Sequence, residues 1–165
     1  MNDLGPIFRT LMRNRLGALL IALQIALTLA IVTNAGGPGI LCTDACIGRG
    51  LALAELSPAT RRALEKALPP EASISNPVDM IASATGESYE IALRIVLDDP
   101  CIDAAIAAFV PPLGVKQADI AASIASAVEG RREKPVLAVL MGREGLPQGI
   151  AELDEAGTPA YRFPE

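Results

Sequence analysis

The residues able to do chemistry fall in four short loops. In "TNAGGPGI" (Thr33–Ile40), Asn34, Gly36, Gly37 and Gly39 follow an apolar β-branched run and open a helical pattern. Glycine lets a backbone approach a ligand closely, and Pro38 suits a first helical turn. The N–H groups of a helix start, together with its dipole, favour an anion, so a phosphate or phosphoryl group is the ligand class expected. The loop is not GxGxxG, and no Lys-Ser/Thr follows to make it a Walker loop. Glycine runs also occur in plain strand-to-helix turns, so the run alone leaves that second reading open.

The other three loops are less specific. "SISNPVDM" (73–80) holds Asn76, kept extended by Pro77, and Asp79 three residues on; it reads as a site wall or as an Asx-type turn. "FVPPLGV" (109–115) has a double proline without N–H donors, a rigid wall. "MGREG" (141–145) offers Arg143 and Glu144, which read as a solvated ion pair.

Absences narrow the chemistry further. The chain of 165 residues has no histidine, which removes Ser-His-Asp and Cys-His catalysis, histidine metal sites and a phosphohistidine carried by this chain. Cys42, Cys46 and Cys101 form no CxxC pair, and the first two, four apart on a helical pattern, read as core packing. Residues 36–165 carry 11 basic and 18 acidic side chains without a basic cluster, which argues against a nucleic-acid partner.

Elements must position these loops at the edge of a sheet. Near-continuous apolar runs at 29–34, 51–56, 102–110, 135–141 and 159–163 read as buried parallel strands. Helical patterns lie between them at Pro38–Arg49, Pro58–Leu68, Ser88–Leu97, Gln117–Glu129 and Pro147–Ala156. Ser57-Pro58 looks like an N-cap with proline behind it, and Gly157 like a C-terminal cap. The stretch 69–85 is the one long irregular segment. The fold class expected is α/β, a flavodoxin-like doubly wound parallel sheet over about residues 28–165, in which ligands bind at the carboxyl ends of the strands.

Residues 1–27 read differently, as an N-terminal basic and apolar helix. Arg9, Arg13 and Arg15 precede a run from Leu16 to Val32 that has no charge. Extended to residue 35, the run nears the roughly 20 residues that span a bilayer, which makes 16–35 a candidate membrane contact. Residues 1–32 resemble the first membrane helix of macrolide-exporter-type ABC permeases. A strand at 29–34 and a membrane helix through 35 compete for the same residues. The strand reading leaves Leu16–Leu27, about 18 Å of helix, too short to cross. The segment near Ala30–Thr33 then reads as a junction of unlike pieces in which the enzyme domain dominates.

"IVTNAGGPGIL", "LPPEASISNPVDMI", "FVPP", "KPVLAVLMG" and "AGTPAYRFPE" resemble, in order and in register, the NDP-forming acyl-CoA synthetases (acetate–CoA ligase, ADP-forming). The likeness is to that family's succinyl-CoA-ligase-type flavodoxin domain and covers about residues 29–165. It implies that a phosphoryl group moves between acyl phosphate, a histidine and a nucleoside diphosphate. Asn34, Gly36, Gly37 and Gly39 then match the helix start facing the phosphohistidine, and Asn76, Pro77 and Asp79 match the "NPVD" loop lining the site. CoA, ADP or ATP and magnesium are implied for the full enzyme, with none bound by this chain alone. The histidine, the CoA-binding Rossmann domain and the ATP-grasp domain have no counterpart in the sequence.

The expected function is therefore a fragment of such a ligase, cytoplasmic, inactive alone, and partnered by the phosphohistidine of a missing domain or partner chain. Two alternatives are a single-pass membrane protein with a small soluble domain, left from an exporter permease, and a stand-alone module that lends its phosphate loop to another chain.

Overall fold

A computed structural model of the chain describes residues 27–131, 133–142 and 148–162. Its central strand is β1, Thr28–Thr33. Along one edge of β1 runs β4 (Ala104–Phe109), paired in parallel from Leu29↔Ala104 to Thr33↔Ala108. The other edge is shared by two very short strands. Ala52–Leu53 (β2) pairs with Thr28 and Leu29, and Val78–Asp79 (β3) with Val32 and Thr33. Beyond β4 lie β5 (Val136–Leu140) and β6 (Ala160–Tyr161), so the order is β2–β1–β4–β5–β6 with β3 beside β1. All these pairings are parallel, and with β3 set aside the order is 2-1-3-4-5, reversing between β1 and β4.

Among the described residues five helices connect the strands: α1 (Gly36–Gly48), α2 (Pro58–Ala67), α3 (Gly86–Leu97), α4 (Gln117–Val128) and α5 (Ile150–Glu155). Local chemistry starts several of them. Ser57 Oγ accepts the Thr60 N–H at 3.2 Å to cap α2. Thr85 and Ser88 cap α3 reciprocally, each hydroxyl accepting the other's backbone N–H. Past α5, Gly157 takes φ +73°, the left-handed turn that glycine enters without penalty.

Side-chain alternation along the strands divides the core by face. Ala30, Val32, Ala105, Ala107, Phe109, Ala138 and Leu140 bury against Leu64, Leu93, Ile124 and Leu153 of α2–α5. Leu29, Ile31, Ala104, Ala108 and Val139 face the other way, where α1 supplies Cys42 and Cys46.

The sequence reading needs several corrections. The strand expected over 51–56 is only Ala52–Leu53, and the stretch read as irregular contains β3. α1 begins at Gly36 rather than Pro38, and α3 at Gly86 rather than Ser88, because the caps lie earlier. A membrane helix running to residue 35 does not exist, because Thr28–Thr33 hydrogen-bond as sheet on both edges. Among the described residues no helix is long and apolar enough to cross a membrane. The expected N-terminal helix lies, up to residue 26, outside the described residues, as do Arg143, Glu144 and Pro147.

Candidate phosphoryl-binding helix start

β1 delivers the chain to its carboxyl end, where a tight turn leads into α1. Thr33 Oγ1 accepts the Ala35 N–H at 3.1 Å and closes that turn. Ala35 is the N-cap, with extended backbone and no side-chain capping bond. The Gly39 N–H donates to the Ala35 carbonyl at 3.2 Å, and Pro38 has no N–H to give. That leaves the N–H groups of Gly36 and Gly37, which find no acceptor among the described residues. Both residues are exposed. Two donors at the positive end of a 13-residue helix therefore open onto solvent.

The seven residues read from the sequence as a site divide into three sets. Gly36, Gly37 and Asp79 come together at the helix start: a Cβ on Gly36 would stand 3.1 Å from Asp79 Oδ2. Asp79 is held there by β3, and its Oδ1 accepts the Ile81 N–H at 2.9 Å. Ile81 has φ +60°, a conformation that costs a β-branched residue about 1–3 kcal/mol and that this hydrogen bond helps to fix.

Gly39 and Pro77 lie beneath. A Cβ on buried Gly39 would meet Thr33 Cγ2 at 3.1 Å and Pro77 Cβ at 3.5 Å, so this glycine sets how closely α1 lies on the sheet.

The two asparagines use their carboxamides inside the sheet. Asn34 donates through Nδ2 to the Val110 carbonyl at 2.8 Å and accepts the Val110 N–H on Oδ1 at 2.9 Å. It thereby ties the end of β1 to the end of β4, across the point where the strand order reverses. Asn76 closes a different break, the gap between β2 and β3. Its Oδ1 accepts the Ile31 N–H at 2.9 Å, while Nδ2 donates to the carbonyls of Leu29 at 2.7 Å and Ala54 at 2.9 Å. One side chain thus replaces the strand residue that β1 lacks along this edge. The Asn76–Pro77 peptide is cis.

Sequence reasoning missed Tyr89, whose hydroxyl donates to the Ala108 carbonyl at 2.6 Å and lies 3.2 Å from Asn34 Oδ1. A tyrosine on the buried stripe of a helical pattern was the available signal, since a buried phenol needs a partner. Burial raises its pKa well above the ordinary value, so it stays a neutral donor.

Cys42 and Cys46 are no nucleophiles in this arrangement. Burial, helped by neighbouring Cys46, pushes the Cys42 thiol up to about 11, and burial raises Cys46 as well. Both pack as core, as their spacing suggested. Among the described residues no group of three or more Cys, Asp or Glu side chains converges to hold a metal ion, so no metal ligand is assigned here.

Residues 29–165 match the family model described as the Ligase-CoA domain. The chain belongs to that family. The alpha subunit of the ADP-forming acetate–CoA ligase II of Pyrococcus furiosus is 44% identical over 139 residues, which are 82% of this chain and 30% of the relative. A solved Pyrococcus horikoshii structure superposes with a TM-score of 0.78 at 42% identity, over 86% of this chain and 33% of that one. The dinucleotide-forming acetyl-coenzyme A synthetase 1 of Ca. Korarchaeum cryptofilum, solved with phosphate and ADP, gives a TM-score of 0.73 at 26% identity, over 83% and 30% of the two chains. This chain thus carries a Ligase-CoA domain and spans about 30% of the length of these relatives. The permease likeness of residues 1–32 finds no support in these matches, and the membrane-protein alternative is not favoured.

Proposed function

We propose that this domain contributes the phosphoryl-cradling helix start of an NDP-forming acyl-CoA synthetase, in a cytoplasmic assembly where other domains or chains bring the histidine, CoA and nucleotide. One observation carries the reading: the Gly36 and Gly37 N–H groups, at the carboxyl end of β1, are exposed and find no acceptor among the described residues. Preorganised donors of this kind stabilise the charge on transferring phosphoryl oxygens without covalent chemistry. The chain has no histidine of its own, so the phosphoryl group must arrive on another domain or molecule. Asn34, Gly39, Asn76 and Pro77 act in this reading as the frame beneath the donors. Asp79 stands beside them, where its charge weakens binding of free phosphate without abolishing it. The acyl specificity belongs to the whole ligase.

Titration of the labelled chain with inorganic phosphate, followed by amide chemical shifts, tests the site. Shifts centred on Gly36 and Gly37 with millimolar affinity, about 4 kcal/mol, are expected. They should weaken with salt, because attraction to a helix end is screened. Gly37→Asp should abolish them with the fold intact: no atom lies within 4 Å of the new Cβ, and an acid in a first helical turn is well placed. Shifts elsewhere, or none at tens of millimolar phosphate, would reduce the loop to a strand-to-helix turn.

A further inference from the structure

The donors at Gly36 and Gly37 have no side chain to hold them in place. Their position depends on the chain just before them, and that chain is anchored by Asn34. The Asn34 carboxamide is buried and spends two bonds on Val110, but a carboxamide paired with one residue can still swing about its own side-chain torsions. Tyr89 supplies the third contact. Its hydroxyl proton is shared between Asn34 Oδ1 at 3.2 Å and, at 2.6 Å, the carbonyl of Ala108, the last β4 residue paired with β1. The ring is fixed in turn, edge-on to Phe109 with centroids 5.9 Å apart at 82°, and Tyr89 has no exposed surface. One side-chain contact, Tyr89 to Asn34, thus links α3 on one face of the sheet to the end of β1, two residues before α1 begins.

We infer that Tyr89 is a positioning residue for the Gly36–Gly37 donors, its hydroxyl locking the Asn34 clasp that fixes where β1 ends and α1 begins. Only the ligand in this inference rests on the phosphoryl reading; the placement of the donors can be observed without one. Tyr89→Phe is the fitting variant, because it keeps the ring against Phe109 and removes one hydroxyl.

In the free, 15N-labelled full chain, Tyr89→Phe should shift the amide resonances of Gly36 and Gly37. It should also speed solvent exchange of the Asn34 side-chain NH2. Phosphate affinity should fall about fivefold, the worth of one hydrogen bond. Thr85→Ala is the control for simple destabilisation. It removes the cap of the same helix, Thr85 touches Ser88 and not Asn34, and it should lower the unfolding midpoint while leaving the glycine resonances and the phosphate affinity in place. Glycine resonances unmoved by Tyr89→Phe, or moved as far by Thr85→Ala, would overturn the inference. If the wild-type chain binds no phosphate but Tyr89→Phe still moves those resonances, the positioning role stands and the phosphoryl reading fails.

Discussion

Beneath α2–α5, one face of the sheet is packed by Leu64, Leu93, Ile124 and Leu153, all without exposed surface. Beneath α1 the other face receives two cysteine side chains and the bare seam of Gly39. The outward side of α1 carries Ile40, Leu41 and Ile47, each about half or more exposed. Large, branched side chains anchor a helix through many contacts, whereas glycine lets it sit close while contributing little burial. The contrast shows a division of labour: the α2–α5 face holds the domain together, and the α1 face presents a helix end.

That division predicts a graded set of losses. Leu93→Ala, on the heavily packed face, should cost about 4 kcal/mol in urea unfolding, the usual range for a large cavity. Asn76→Ala should follow at about 3 kcal/mol, since it strands the Ile31 N–H and two carbonyls in a sheet interior. A cost below about 1 kcal/mol would mean that water or a shifted β3 heals the edge.

Asp99 comes next, behind the α2–α3 side. Burial alone would raise its pKa, but hydrogen bonds from Thr60, Cys101 and Ser57 outweigh it and hold the carboxyl at about 2. A depressed folded-state pKa stabilises above the unfolded value near 4 and loses that contribution as pH falls through about 2. About 2 kcal/mol of stability should therefore disappear between pH 4 and pH 2. Asp99→Asn should flatten that part of the profile, and an unchanged slope would show that the carboxylate is not the cause.

On the α1 face, Cys42→Ala should cost only about 1 kcal/mol, and phosphate shifts at Gly36 and Gly37 should persist. Losses equal to those of Leu93→Ala would erase the contrast. The smallest effect expected is a gain: Asp79→Asn keeps the acceptor for Ile81 and removes a like charge beside the donors. Phosphate affinity should then rise about threefold at low salt.

Much of this fold is legible from residue patterns. β1, β4 and β5 read as unbroken apolar runs because both of their faces are covered, and α2 announces itself through Ser57-Pro58. β3 does not, since two residues in a segment rich in proline and serine carry no period. The glycine run marked the helix start to within two residues, α1 beginning at Gly36 rather than Pro38. Asn34 and Asn76 looked like ligand-facing polar residues beside it. Their work in closing breaks along β1 depends on strand register, which no local pattern encodes. Tyr89 was hidden for the same reason: its partner Asn34 is 55 residues away.

The central claim is that Gly36 and Gly37 serve phosphoryl transfer within a larger ligase. The most direct measurement is ATP formation from acetyl-CoA, ADP, phosphate and magnesium, using this chain mixed with a related acetate–CoA ligase from which the Ligase-CoA domain has been deleted. The account predicts no ATP from either component alone, ATP from the mixture, and its loss when the chain carries Gly37→Asp. Turnover by the pure chain, no turnover by the mixture, or equal rates with wild-type and Gly37→Asp chains would contradict it.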